Sequence, residues 1–315
     1  METGDLLRSI INLPIISSGL AEEMLAGNFR SVFKGSGMEF DEARHYLPGD
    51  DIRSIDWNAS ARFGHPFVKM YREERELTIL LLIDISPSMH RGNIYPQELN
   101  TERGSKPFLS PYEQALISAS LVAFSAEHTG QQVGAFFFDK DIEKVFPPRK
   151  GRKHIMSLIM AALQYQNNVM PRRTQHGSNI ASALTGAQRL LKKRSLVIVI
   201  SDFFGINWEQ EMGILCRKHD CLALRICGSQ DVPYPGLITL EDPETGVRIE
   251  APAGLDSFKD SWSEWHSERT THWESQCKKS GASYLDISTE ADAPSALMKF
   301  FSSRNVSIAK NRKKR

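Results

Sequence analysis

Short apolar runs alternate along the chain with longer segments of helical periodicity. The runs lie at residues 79–83, 133–138, 196–200, 221–227 and 284–287. Helical patterns occupy residues 112–128, 151–164, 179–194, 207–219, 255–280 and 293–301. Strands that alternate with helices predict an α/β fold with a mostly parallel, doubly wound sheet that is covered by helices on both faces.

Residues 29–76 differ from this pattern, because they are rich in Gly, Asp, Arg and aromatic residues and contain only short strand-like pieces such as residues 67–71. We therefore expect a small, β-containing N-terminal subdomain over residues 1–76 and the sheet domain over residues 77–303. The last twelve residues hold six Lys or Arg and no acid, which predicts a flexible basic tail over residues 304–315.

Composition excludes several classes of protein. The chain has 315 residues, a net charge of +1, 41% hydrophobic residues and 24% charged residues, which are typical values for a globular protein. It has no apolar run of membrane-spanning length and an acidic start, so we expect neither a membrane span nor a signal peptide. We expect a cytoplasmic protein whose four cysteines are reduced thiols; a zinc site from these with His219 is the less favoured alternative. The basic clusters at residues 149–153 and 192–194 lack interleaved aromatic residues, so no nucleic-acid partner is expected.

Three oxygen-bearing side chains follow the first apolar run of the sheet domain. Asp84, Ser86 and Ser88 stand at alternate positions, where a turn beyond the strand end can direct all three toward one point. A carboxylate with two hydroxyls offers oxygen ligands with little charge, as Mg²⁺ prefers. The alternative is that Asp84 and Ser86 only cap the next helix, since Asp and Ser are favoured N-caps.

Two later positions extend this candidate site. Asp202 follows the apolar run 196–200, so a second carboxylate stands where a central parallel strand ends. Ser178 precedes a helical segment and could supply a further hydroxyl, with Thr174 as the alternative. Ligands in open α/β sheets bind beyond the carboxyl ends of the strands, so we expect these side chains to meet.

Asp84, Ser86, Ser88, Ser178 and Asp202 together resemble the metal-ion-dependent adhesion site (MIDAS) of von Willebrand factor A domains. The resemblance extends from about Leu77 to Phe301 and implies a Mg²⁺ site, with Mn²⁺ or Ca²⁺ as alternative ions. The loop hydroxyl is normally Thr in that family, and Ser178 lacks the methyl group that fixes the rotamer.

The stretch before the sheet carries a second resemblance. Residues 33–57 read FKGSGMEFDEARHYLPGDDIRSIDW, and Arg62, Lys69 and Glu73 continue the pattern. This sequence is similar to the signature of the bacterial family known as domain of unknown function 58. The resemblance implies a cytoplasmic protein that works beside a MoxR-type AAA+ ATPase.

These features favour a metal-dependent protein-binding module over an enzyme, because the chain lacks GxxxxGK, GxSxG and HExxH motifs. In this hypothesis, a carboxylate of a partner protein fills an open coordination position on the metal ion. A Mg²⁺- or Mn²⁺-dependent phosphoester hydrolase with Asp50, Asp51 or His45 as base is one alternative, and a scaffold with a degenerate metal site is another.

Three further features of the sequence give rise to expectations about structure. The acids and arginines of residues 39–56 are expected to form salt bridges that position loops. The tryptophans of the helical segment 255–280 (Trp262, Trp265 and Trp273) are expected to form a packing stripe. The long polar stretch 90–110 is interpreted as a loop beside the metal site.

Overall fold

The computed structural model describes residues 10, 13, 17–21, 38–73, 77–90, 109–167, 178–228, 237–241 and 247–312. The strands in these ranges are β1 (Met38–His45), β2 (Phe67–Glu73), β3 (Thr78–Asp84), β4 (Gln132–Phe138), β5 (Ile142–Arg149), β6 (Leu196–Ser201), β7 (Asp220–Cys227), β8 (Leu237–Glu241), β9 (Arg248–Pro252) and β10 (Ser283–Ser288). The helices are α1 (Trp57–Phe63), α2 (Pro87–His90), α3 (Pro111–His128), α4 (Arg152–Asn167), α5 (Ile180–Leu190), α6 (Glu209–Cys216), α7 (Asp256–Ser280) and α8 (Ala293–Arg312).

Six strands form the central sheet in the order β10-β7-β6-β3-β4-β5, and only β5 is antiparallel to its neighbour. The chain adds β4 and β5 on one side of β3 and then crosses to place β6 on its other side. The direction of winding therefore changes between β3 and β6. The predicted α/β fold with a mostly parallel sheet is confirmed.

The two central strands are apolar on both faces because both faces are covered. All residues of β6 are buried, as are residues 79–84 of β3. One face of the sheet packs against α3, α4 and α8, and the other packs against α5, α6 and α7. Such continuous Val, Ile and Leu runs are typical of parallel strands that lie between two helical layers.

The helix α3 shows how the local sequence sets an element boundary. Ser110 accepts a hydrogen bond from the backbone of Glu113, and the Glu113 carboxylate accepts one from the backbone of Ser110. Pro111 occupies the first helical position. This capping box fixes the start of a helix whose residues are almost all buried against the sheet.

The first described residues belong to the core of the sheet. Ile10, Leu13 and Leu20 are buried in the same cluster as α3, and the hydroxyl of Ser125 donates to the carbonyl of Ser17. The sequence analysis placed these residues in the N-terminal subdomain. Later in the same N-terminal segment, β1 and β2 form a separate antiparallel pair, and α1 contacts β2.

The C-terminal helix corrects one expectation. Helix α8 was expected to end at Phe301, but it continues to Arg312, so residues 304–312 of the predicted basic tail are helical. Nη2 of Arg304 donates to both carboxylate oxygens of Asp220 at the start of β7, with distances of 2.5 and 2.7 Å. The sequence gives no signal for this pairing, because its partners are far apart in the chain.

None of the helices in the described ranges is long and apolar enough to cross a membrane.

We expect the central strand to dominate the stability of the fold. Leu81 of β3 is fully buried, so Leu81→Ala should lower the free energy of unfolding by about 2–5 kcal/mol in urea denaturation. Val145→Ala on β5 is the matched control, since Val145 is 45% exposed, and it should change stability much less. Similar losses for the two variants would contradict this description of the core.

Candidate metal centre

The carboxylate of Asp84 is the centre of a hydrogen-bonded cluster at the carboxyl end of β3. The hydroxyls of Ser178 and Ser201 both donate to Asp84 Oδ2 at 2.6 Å. The backbone N–H of Ser86 donates to Asp84 Oδ1 at 2.9 Å. The hydroxyls of Ser86 and Ser88 lie 3.0 Å apart. Three segments that are distant in the chain therefore bring their oxygen atoms to one place.

The sheet topology creates this meeting point. Ile83 lies opposite Ile200 in the parallel pairing of β3 with β6, so the next residues, Asp84 and Ser201, are neighbours. The loops after these two strands separate toward opposite faces because the winding direction changes between them. A crevice at such a switch point is the usual ligand position in an open α/β sheet.

The turn after β3 combines capping with the cluster. Ser86 lies directly before α2, and its carbonyl accepts a hydrogen bond from the Met89 N–H at 3.1 Å. Asp84 Oδ1 orders this turn through the Ser86 N–H. Capping of the turn before α2 thus accounts for the hydrogen bond at Asp84 Oδ1. It does not account for Oδ2, which accepts hydrogen bonds from the hydroxyls of two other segments.

The loop that carries Ser178 is fixed from its other side. The backbone N–H of Asn179 donates to the carbonyl of Asp139 at 2.7 Å, and its side chain caps α5 by accepting from the Ser182 N–H. Ser178 therefore reaches the Asp84 carboxylate from the start of a helix, as the sequence predicted. Thr174, the alternative, lies outside the described residues, as do residues 91–108 of the predicted loop beside the site.

The turn after β6 holds Asp202 in place. Its Oδ1 accepts from the N–H of Phe204 at 3.0 Å, and Ser201 Oγ accepts from the N–H of Phe203. Phe203 adopts a left-handed backbone conformation, with φ at 54°, which is uncommon for a non-glycine residue. Its ring packs against Trp208 and Trp273, with centroid distances of 5.2 and 5.5 Å. Packing of Phe203 thus maintains a conformation that the backbone alone disfavours.

Asp84 and Asp202 are both buried, with exposed fractions of 0% and 6%. Burial of Asp84 and the negative charge of Asp202 raise the pKa of Asp84 to about 6, although hydrogen bonds from three serines act in the opposite direction. Two buried carboxylates close enough to interact in this way disfavour each other's ionisation. A divalent cation between them would remove that cost.

The donor set fits a hard divalent ion. It offers two carboxylates together with hydroxyls, and oxygen ligands of this kind suit Mg²⁺ or Mn²⁺. In the described ranges, no three His, Cys, Asp or Glu side chains come together as metal ligands, so a centre here would depend on the serines.

The five residues that the sequence selected therefore lie at one end of the sheet. Hydrogen bonds join Asp84, Ser86 and Ser178, the Ser88 hydroxyl reaches that of Ser86, and the charge of Asp202 acts on Asp84. Sequence reasoning did not assign a role to Ser201, although Ser201 stands at a strand end beside a carboxylate. This position at a strand end was the sequence feature that could have identified Ser201 as part of the cluster.

Three acids of the segment 39–56 have local structural roles. Arg44 donates two hydrogen bonds of 2.7 Å to Asp50, which lowers the pKa of that carboxyl. Asp51 caps the short 3₁₀ turn Ile52–Ser54, and Asp56 caps α1. The expectation of ion pairs that position loops is met at Arg44, and two of the suggested catalytic bases already stabilise turns.

Comparison with known proteins places the chain in a family. A family model described as "Protein of unknown function DUF58" matches residues 42–271. The chain belongs to this family. DUF58 relatives include uncharacterized proteins of Mycobacterium bovis and Mycobacterium tuberculosis, each 28% identical over 290 residues, which cover 89% of this chain and 84% of theirs.

Solved structures show only a distant likeness to this DUF58 protein. A conserved hypothetical protein BatB from Bacteroides thetaiotaomicron has 16% identity and a TM-score of 0.39, with coverage of 72% of this chain and 98% of its own. The PilB minor pilin from Streptococcus sanguinis has 9% identity and the same TM-score, with coverage of 78% and 65%.

We expect Asp84→Asn to stabilise the metal-free DUF58 protein. The folded protein binds the Asp84 proton more tightly than the unfolded chain, in which the pKa is near 3.8, so its free energy of unfolding decreases as pH rises from about 4 to about 6. Asparagine cannot ionise, and the two serine hydroxyls can rotate to suit its amide.

At pH 7 in chelator, thermal unfolding should show the variant more stable by up to about 3 kcal/mol, a difference that disappears below about pH 4. Its Mg²⁺ affinity should fall. A variant less stable than the wild type at pH 7 would contradict an electrostatic cost at Asp84.

We expect Gly205→Ala to disturb the centre. A Cβ on Gly205 would lie 2.7 Å from the Ser178 carbonyl oxygen, so the turn after β6 and the Ser178 loop would have to separate. Calorimetric titration should show weaker Mg²⁺ binding. Gly213→Ala in α6 is the control, because a Cβ there meets no atom closer than 4.0 Å and alanine favours helix. Equal effects from the two variants would contradict a role for this close approach.

Proposed function

We propose that this DUF58 protein is a metal-dependent protein-binding module. In the proposal, Ser86 and Ser88 would hold a Mg²⁺ ion directly, while Ser178, Asp84 and Asp202 would hold it directly or through water. One coordination position would stay open for a carboxylate of a partner protein. When bound, the ion would supply an electrophilic centre for that carboxylate.

The observation that carries the proposal is the cluster around Asp84. Two hydroxyls from other segments converge on one oxygen of the Asp84 carboxylate, whose pKa is raised by complete burial and by the charge of a second buried carboxylate. A group that served only to cap α2 would not need the hydroxyls of Ser178 and Ser201. The cost of keeping Asp84 ionised is consistent with a site whose stable state contains a cation.

The proposal also includes a more specific assignment of the fold. The switch point between β3 and β6, and the positions of the oxygen ligands there, support a von Willebrand factor A-like domain with a MIDAS-type centre. The partner that family membership suggests is a MoxR-type AAA+ ATPase, or a client that it remodels, in the cytoplasm.

The test combines metal titration with partner capture. Ser178→Ala removes a hydroxyl that reaches Asp84, and we expect about tenfold weaker Mg²⁺ binding by calorimetry. Ser195→Ala is the matched control, because its hydroxyl bonds to Lys193 at the opposite end of β6. The MoxR-type ATPase of the same organism should be captured in Mg²⁺ and released by chelator.

Three outcomes would oppose the proposal. The first is capture of the ATPase that persists in chelator and in Asp84→Ala, because binding would then not pass through the metal. The second is turnover of phosphoesters with Mg²⁺ or Mn²⁺ that is lost in Asp202→Ala, which would favour the hydrolase. An absence of Mg²⁺ binding would favour the scaffold with a degenerate site.

A further inference from the structure

The first half of α7 is packed less tightly than the second half. The buried residues of this 25-residue helix are Trp273 and Cys277. Trp265 is 43% exposed, and Trp262 is half-buried. The expected packing stripe of three tryptophans is therefore wrong for Trp265. The exposed indole lies on the part of α7 that precedes Arg269, near the turn that carries Asp202.

Arg269 is held against two aromatic rings. Its guanidinium carbon lies 3.4 Å from the ring centroid of Phe204 and 5.1 Å from that of Trp265. Phe204 is 53% exposed, and Ile206 on the same turn is 79% exposed. We name Phe204, Ile206, Trp265 and Arg269 the Arg269 surface. Stacking restricts the guanidinium and leaves its in-plane N–H groups available for hydrogen bonds.

This surface adjoins the candidate metal centre. Phe204 is two residues beyond Asp202, and its N–H donates to that carboxylate. The negative charge of Asp202 acts on Arg269. Among the residues that the structure describes, none forms a hydrogen bond or ion pair with the Arg269 guanidinium. A half-buried arginine without such a partner, beside exposed aromatic side chains, is unusual away from binding surfaces.

The chemistry of the surface selects its occupant. One guanidinium favours a single carboxylate, which it can bind through two parallel hydrogen bonds. The exposed rings and Ile206 favour an apolar side chain next to that carboxylate.

We propose that Arg269 is a specificity-determining residue that binds a second carboxylate of the partner segment whose first carboxylate completes the metal centre. This inference rests on the proposed function. The partner segment is then a peptide stretch with two acidic side chains and at least one apolar side chain, and Arg269 distinguishes it from a segment with one acid.

The experiment uses the full chain with peptides as probes. A display library of random 12-residue peptides is selected in Mg²⁺ and eluted with chelator. The enriched peptides should contain two acids and an apolar residue. Synthetic versions are then measured by calorimetry, with each acid in turn replaced by Gln, against the wild type and Arg269→Gln. This design is a double-mutant cycle between Arg269 and the second acid.

We expect removal of the second acid to weaken binding to the wild type by about tenfold, the loss typical of a charged hydrogen-bonded pair. The same change should have little effect on binding to Arg269→Gln. Arg269→Lys should recover only part of the affinity, because lysine lacks the planar group. The control Lys279→Gln removes an exposed charge from the last turn of α7 and should leave binding unchanged.

Other outcomes overturn the inference. Peptides that need Mg²⁺ but bind Arg269→Gln as tightly as the wild type would overturn it and leave the proposed function standing. Equal losses for every peptide, accompanied by weaker Mg²⁺ binding, would show that Arg269 acts only through Asp202. A selection without any Mg²⁺-dependent peptide would overturn both the inference and the proposed function.

Discussion

The parallel pairing of β3 with β6 is the constraint on which the site depends. It places Asp84 beside Ser201 and brings Asp202 close enough for the two carboxylates to interact. Because both strands are buried on both faces, neither can shift in register without exposing apolar side chains or burying polar ones. The stability of the core therefore fixes the geometry of the oxygen cluster.

The cost of this arrangement is concentrated at one buried group. Asp84 loses its contact with water, and three hydrogen bonds from serines do not compensate fully, since its pKa remains raised. Natural proteins often keep such unfavourable groups where binding later uses them. The left-handed conformation of Phe203, on the neighbouring turn, is a second local cost at the same place.

The site and the surface next to it have different physical characters. The Asp84 cluster is buried and polar, whereas the Arg269 surface is exposed and combines aromatic rings with one cation. The first suits an ion and the second suits a side chain of another protein. In the proposed complex, the turn at residues 202–206 would connect two points of attachment that differ in chemistry, which favours selectivity over strength.

The sequence determined the features that depend on local pattern. Apolar runs and helical periodicity specified the α/β class, and strand ends marked by Asp84 and Asp202 specified where polar groups would gather, since parallel strands share one carboxyl edge. The tertiary structure decided the rest. Strand order made β3 and β6 neighbours, which gave Ser201 its role. Long-range packing brought Arg269 of α7 onto Phe204 and Arg304 of α8 onto Asp220. Such contacts join residues far apart in the chain, and no local pattern encodes them.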